Sequence, residues 1–221
     1  MTVTLGEEIM LLSLDDESGA AKDRQSAGWA VAGGILLDLV LADRVSVEDG
    51  RIRIPDTTPT GTALLDGRLE QLASWAGRRN KPPKITDWLA KDHSKAVGAT
   101  IGSLRERGLV AEEEHKVLGL FPVKRYPEAD GSTERELRER LSAVVLHDAA
   151  PDDRTAGLVA LIHCAKLHRL AFPDVPRKQI TPRMTEIADG QWAGASVREA
   201  IRNMQAAMVA VTVATSVAVA G

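Results

Sequence analysis

The chain has 221 residues, 44% hydrophobic and 27% charged, with a formal net charge of -3. This is the balance of a folded globular chain. It excludes a global field that would draw the molecule to nucleic acid or to an anionic membrane, so any such attraction must come from a local patch. Aromatic residues make up only 3% while Leu, Ala and Val are plentiful, which favours helices packed on helices over a β-sandwich. The single cysteine, Cys164, rules out a disulfide within the chain. The N-terminus has no basic start, and Glu7 and Glu8 interrupt its apolar stretch; it reads as no signal peptide, and the compartment as the cytosol.

In chain order, Leu5 to Leu14 forms an apolar helix and Asp15 to Gly19 a polar turn. A second helix runs from Ser26 to Ala42. Its paired Gly33 and Gly34 cost helix stability, about 1 kcal/mol each against alanine, and so mark a close helix contact or a ligand approach. Val45 and Val47, then Asp49-Gly50, then Ile52 and Ile54 read as a β-hairpin. After a loop at Pro55 to Thr60, Thr60 or Thr62 caps a helix with Leu64, Leu65, Leu69 and Leu72 inward. Gly77 to Lys84 is a basic, proline-broken linker and the best internal joint. Thr86 caps a short helix with Trp88 and Leu89, and a following helix carries Val97, Ile101 and Leu104 to a stop at Gly108.

Val117 to Phe121, a Pro122-Val123 turn and Lys124 to Tyr126 then form a basic hairpin with an apolar tip. Thr133 with Glu136 forms a capping box for a helix burying Leu137, Leu141, Val144 and Val145. Another helix follows Pro151 to Thr155 and runs near Phe172. A proline-rich connection from Pro173 to Pro182 precedes a short helix, and Ser196 with Glu199 caps the last one. The nearly uncharged run from Met204 to Ala220 is shorter than the roughly 20 residues of a membrane span; it reads as a core helix, with a tail anchor as the alternative.

Catalytic patterns are missing. There is no glycine-rich phosphate loop with its lysine and no dinucleotide-binding GxGxxG. His163 and His168, five apart, fall on poorly aligned helix positions, and Cys164 reads as a buried thiol. The carboxylates of Asp15 to Glu17 and of Asp152-Asp153 suit helix starts. Arg154 sits at a helix N-terminus, where an arginine is electrostatically misplaced; it pairs with Asp152 or Asp153, or it reaches an anion. No catalytic residue, metal ligand or cofactor is assigned.

The hairpin supports two functional readings beside simple packing on its own domain or on another subunit. A helix followed by a basic ribbon is the order of a winged-helix DNA-binding domain. Glu112 to Glu114 and the negative net charge argue against nucleic acid. Alternatively, Leu120, Phe121 and Val123 enter between lipid headgroups while Lys124 and Arg125 hold anionic lipid.

Ordered stretches then carry a resemblance. They are Leu5 to Leu14, Gly33 to Leu39, Pro59 to Asp66, Leu104 to Val110, Leu118 to Phe121 with Arg125 to Pro127, and Asp153 to Thr155. In this order the chain resembles the Golgi phosphoprotein 3 family of phosphoinositide-binding peripheral membrane proteins, as a bacterial-type member. The resemblance implies a mainly α, single globular domain over residues 1–221, built around a central helical bundle, with short β-hairpins and one projecting apolar hairpin. It implies no enzymatic activity. It also implies binding of phosphatidylinositol 4-phosphate at the cytosolic membrane face, and protein partners among the cytoplasmic tails of membrane proteins. The family's headgroup residues fall here on Asp23 or Arg24, Ala32, Ser94 and Val97, and so do not carry over. The candidates for a substituted headgroup pocket are therefore Arg24, Trp29 and Lys95. Those for the membrane tip are Leu120, Phe121, Val123, Lys124 and Arg125, with self-association through the hairpin as a further role. A cytosolic protein-interaction scaffold is the remaining alternative.

Overall fold

The computed structural model describes residues 3–14, 24–117, 121–189 and 194–219; for residues 24, 115–117, 121–123, 196 and 211–219 it describes the backbone only. The described residues are mainly helical, with two small antiparallel hairpins. Asp15 to Gly19 and Leu120 lie outside them.

Two helices make the centre. α1 (Leu5–Ser13) is buried on every side. Its start is a capping box: Glu7 N–H donates to Thr4 Oγ1 at 3.1 Å, and Thr4 N–H donates to Glu7 Oε2 at 2.7 Å. α2 (Arg24–Leu41) is buried without interruption from Ala27 to Val40. A helix apolar all round belongs inside a bundle, and α2 is that helix. The paired glycines serve this packing. A Cβ on Gly34 would lie 3.0 Å from backbone atoms of Leu5 and Gly6, and one on Gly33 2.8 Å from Leu161 Cδ2. They bring α2 against α1 and against α6 (Asp153–Cys164).

β1 (Ser46–Glu48) and β2 (Arg51–Arg53) pair as expected, Val47 opposite Ile52. Asp49 and Gly50 both have positive φ, 49° and 69°, the geometry that a two-residue hairpin turn requires. The 77–84 segment is no free joint. Ile52 N–H donates to the Pro83 carbonyl at 2.8 Å, Ile85 N–H to the Gly50 carbonyl at 2.9 Å, and Arg51 Nη1 to the Pro82 carbonyl at 2.7 Å. These bonds strap the segment to β2.

α3 (Ala63–Ala76) buries Leu64, Leu65, Leu69 and Leu72. Its N-cap Thr62 makes no side-chain cap; the Thr60 hydroxyl donates instead to Asp66 at 2.7 Å. α4 (Ile85–Glu106) is one helix of 22 residues, not two. Thr86 lies inside its first turn and Lys84 is the N-cap. Gly98 and Gly102 face open space and weaken the helix. Buried Ile85, Trp88, Leu89, Ala96 and Leu104 hold it together, each large apolar side chain contributing about 1.5–3 kcal/mol.

β3 (Glu113–Val117) and β4 (Phe121–Arg125) form the second hairpin. Pro122 and Val123 are inside β4, so the turn is not where the proline suggested. α5 (Ser132–Val145) begins one residue before Thr133, after Gly131 at φ 67°. No box forms there; Ser132 N–H and Oγ both donate to Asp130, and Glu134 pairs with Arg138. The helix expected to reach Phe172 stops at Cys164, and a short α7 (His168–Ala171) follows. α8 (Arg177–Ala188) takes in Pro182, where the Thr181 hydroxyl donates to the Arg177 carbonyl at 2.8 Å. α9 (Ala195–Val219) begins before Ser196 and carries the C-terminal apolar run. Among the described residues no helix is long and apolar enough to cross a membrane.

Arg154 does not pair with its sequence neighbours. Asp152 caps α6 by accepting from Thr155 N–H at 2.7 Å. Arg154 instead reaches Asp38 at 2.5 Å, Glu8 at 3.3 Å and the Val3 carbonyl. Leu5 N–H also donates to Asp38, at 2.6 Å. Arg140 of α5 meets Glu8 at 2.9 Å, and Arg107 and Ser103 of α4 meet Glu7 at 2.6 and 2.8 Å. Three buried carboxylates thus tie α1 and α2 to α4, α5 and α6.

Burial pushes the Asp38 carboxyl up to about 6, against the pull of the Arg154 guanidinium. A raised folded value means that the native state holds this proton more tightly than the unfolded chain. The Asp38 contribution is therefore complete below the ordinary value of 3.8 and declines as pH rises through about 6. Denaturation from pH 4 to 7 should show wild type losing stability relative to Asp38→Asn across that window; parallel pH profiles would contradict it. Arg154→Ala leaves Asp38 without its ion pair, and Glu8 with Arg140 alone, and should cost about 3–5 kcal/mol. Gly34→Ala should cost about 1–3 kcal/mol, because backbone rather than side-chain atoms would have to move. Both values are read from urea unfolding at neutral pH.

Candidate functional site

Six exposed cations of the described residues lie along one edge. Arg78, Arg79, Lys81 and Lys84 lie in the strapped loop between α3 and α4, and Lys91 and Lys95 on the first half of α4. All six are exposed, and none makes an ion pair with a described residue. Between residues 78 and 95 the only carboxylates are Asp87 and Asp92, and Asp92 is buried in a pair with Arg68. Lys91 and Lys95, one turn apart, project from the same side of the helix as Trp88.

A cleft of about 360 Å³ opens there between α3 and α4. Arg78, Lys91 and Lys95 supply positive charge, Glu70 one carboxylate, and Gln71 and Ser74 hydrogen-bonding groups. Its apolar part is Trp75 and Trp88, rings tilted by 47° with centroids 5.3 Å apart. Arg79 covers the Trp75 face at 4.2 Å. Behind Trp88, Arg68 lies 5.8 Å from the ring and donates to Gln71 Oε1 at 3.0 Å. Burial lowers the Arg68 pKa from its usual value, yet Asp92 beside it fixes the charge. The cleft thus has a buried back and an exposed cationic rim, an arrangement suited to an anion carrying an apolar or ring-shaped body.

Of the expected headgroup residues, Lys95 lines this cleft. Trp29 does not. It is 7% exposed, on the other side of α4, and stacks on His93 with centroids 4.4 Å apart and planes 13° from parallel. Arg24 opens α2, and its side chain lies outside the described residues. At the hairpin, Leu120 and the side chains of Phe121 and Val123 lie outside them as well. Lys124 is described, and Glu112 claims it. Glu112 meets Lys124 at 2.8 Å and Arg105 at 2.7 Å. The Lys124 hydrogen bond holds the Glu112 carboxyl below its usual range, and Glu112 raises Lys124 in turn. Arg125 stands opposite Glu113 in the ladder. From Glu112 to Arg125 the sequence holds three carboxylates and three cations, so this segment is formally neutral rather than basic.

Sequence reasoning missed Arg78, Lys91, Trp75 and Trp88. The signal was present: Trp88, Lys91 and Lys95 at helical spacing, beside a basic linker. It was hidden by breaking α4 in two. Elsewhere, His163 and His168 come together, Nδ1 to Nε2 at 3.1 Å, because the chain turns between them. Burial holds both imidazoles below the usual histidine range and pushes the Cys164 thiol up to about 11, which keeps the thiol protonated. Among the described residues no group of three or more His, Cys, Asp and Glu side chains is placed to hold a metal.

The arrangement is a mainly helical fold with a cationic cleft between α3 and α4. The family model for Golgi phosphoprotein 3 (GPP34) matches residues 5–204, and the chain belongs to that family. Among curated proteins it is similar to Vacuolar protein sorting-associated protein 74 of Eremothecium gossypii, 27% identical over 169 residues. The match takes in 66% of this chain and 50% of that protein, so the chain spans about half the length of that relative.

If the Arg68–Asp92 pair forms the back of the cleft, Arg68→Ala should destabilise by about 3–5 kcal/mol and Arg68→Met/Asp92→Leu by much less. Unfolding followed by tryptophan fluorescence tests this; equal losses in the two variants would contradict it.

Proposed function

We propose that this chain is a non-enzymatic peripheral membrane protein that binds anionic lipid headgroups through the α3–α4 cleft and its cationic rim. The observation that carries the reading is a tryptophan-lined cleft whose rim holds Arg78, Lys91 and Lys95, exposed and without an ion pair to a described residue, with Arg79, Lys81 and Lys84 in the adjoining loop, in a member of the Golgi phosphoprotein 3 family. Each lysine or arginine near an anionic surface contributes about 1 kcal/mol. The rim therefore outweighs the formally neutral hairpin as the electrostatic contact. The hairpin tip, Leu120, Phe121 and Val123, supplies apolar insertion in this reading, and Lys124 and Arg125 position it. A phosphoinositide is the headgroup that the family favours. The protein works at the cytosolic membrane face, where cytoplasmic tails of membrane proteins are the partners of an adaptor role. A DNA-reading wing needs cations free on the hairpin, and Glu112 and Glu113 face those cations here.

Flotation on phosphoinositide-containing vesicles tests this directly. Wild type should float at low salt and be released as salt rises. Lys91→Glu/Lys95→Glu should remain soluble while unfolding like wild type. Flotation of that variant at the wild-type level would remove the cleft from the reading, and wild type that never floats would remove lipid binding altogether.

A further inference from the structure

At the corner between α6 and α7 two imidazoles face each other. His163 closes α6, Lys166 turns the chain with φ at 60°, and His168 opens α7. Nδ1 of His163 lies 3.1 Å from Nε2 of His168, with the ring planes at 83°. The Thr185 hydroxyl on α8 donates to the Thr181 carbonyl at 2.8 Å, which leaves a lone pair toward His163 Nε2, 3.4 Å away. A backbone hydrogen bond at Lys166 acts on the ring of His168, which is 2% exposed. Each ring thus has an acceptor for a proton on its outer nitrogen, and one proton lies between the two facing nitrogens.

We propose that His163 Nδ1 and His168 Nε2 form a binding site for a first-row divalent transition ion such as Zn²⁺, with water completing the coordination. Two nitrogens bound to one zinc at about 2.0–2.1 Å and near-tetrahedral angles lie about 3.3 Å apart, close to the observed spacing. Each ring turns by roughly 35° to aim its lone pair at the ion. On binding, the proton between the two facing nitrogens moves to the outer nitrogen of the ring that holds it, so no net proton is released. A ligating histidine with a proton on its outer nitrogen is the usual arrangement. Access is from the side of half-buried His163 and exposed Thr185. Asp189, exposed at the end of α8, adds negative charge toward His163 and Arg177 opposes it. With two protein ligands, affinity is that of a regulatory or exchangeable site rather than of a closed structural one.

The test uses the full chain, freed of metal with a chelator that is then removed. Added Zn²⁺ should raise the melting temperature to a plateau at one ion per chain. Imidazole ¹⁵N spectra should show both facing nitrogens, Nδ1 of His163 and Nε2 of His168, without a proton and both outer nitrogens protonated. His163→Gln, which keeps a hydrogen-bonding group in a half-buried place, should retain the metal-free melting temperature and lose both responses. Cys164→Ala should keep both. The proposal is overturned by no zinc response in wild type, by an equal response in His163→Gln, or by its loss in Cys164→Ala.

Discussion

Glu7, Glu8 and Asp38 are carboxylates in the most buried part of the molecule, and the arrangement of the surrounding helices follows from them. Buried charges need partners. Those partners come from far along the chain: Arg107 on α4, Arg140 on α5 and Arg154 on α6. Each arginine fixes one outer helix against the central pair. The contact with α4 matters most for function. Ser103 and Arg107 hold its C-terminal part to Glu7, while the strap to β2 holds its start. A helix pinned at both ends, about 33 Å long by its residue count, then presents Trp88, Lys91 and Lys95 in a fixed line.

Charge is sorted along that helix. At its far end Glu112 pairs with Lys124 and Arg105, and the segment from Glu112 to Arg125 carries as many carboxylates as cations. At its near end the carboxylates are few, and Asp92 is withdrawn into the core with Arg68. A net charge of -3 therefore coexists with a strongly positive edge. The buried Arg68–Asp92 pair has a clear role on this view. It removes a carboxylate from the rim and stiffens the wall behind Trp88.

Local patterns in the sequence were legible where local physics decides. The apolar α1 and α2, the Asp49-Gly50 hairpin and the inward leucines of α3 follow from periodicity and turn chemistry. The close contact of Gly33 and Gly34 follows from the cost of glycine in a helix. Some local signals misled. T-x-x-E occurs at Thr4 to Glu7 and at Thr133 to Glu136, and only the first becomes a capping box. The break between a Thr86 helix and the next, and the connection ending at Pro182, do not form: α4 runs unbroken from Ile85 to Glu106, held by its buried face, and α8 runs through Pro182. Partnerships across long sequence separations left no local trace. Arg154 finds Asp38 across 116 positions, and neither residue announces the other. The α3–α4 cleft was half legible: Lys95 was singled out, but its companions depend on how α3 packs on α4.

In the proposed function the α3–α4 edge, not the hairpin, carries the electrostatic contact with an anionic surface. Hydrogen exchange of the wild-type protein on phosphoinositide-containing vesicles separates the two. Exchange should slow in peptides covering residues 70–95, and high salt should reverse the effect. Protection confined to residues 113–125, with none over 70–95, would contradict this reading.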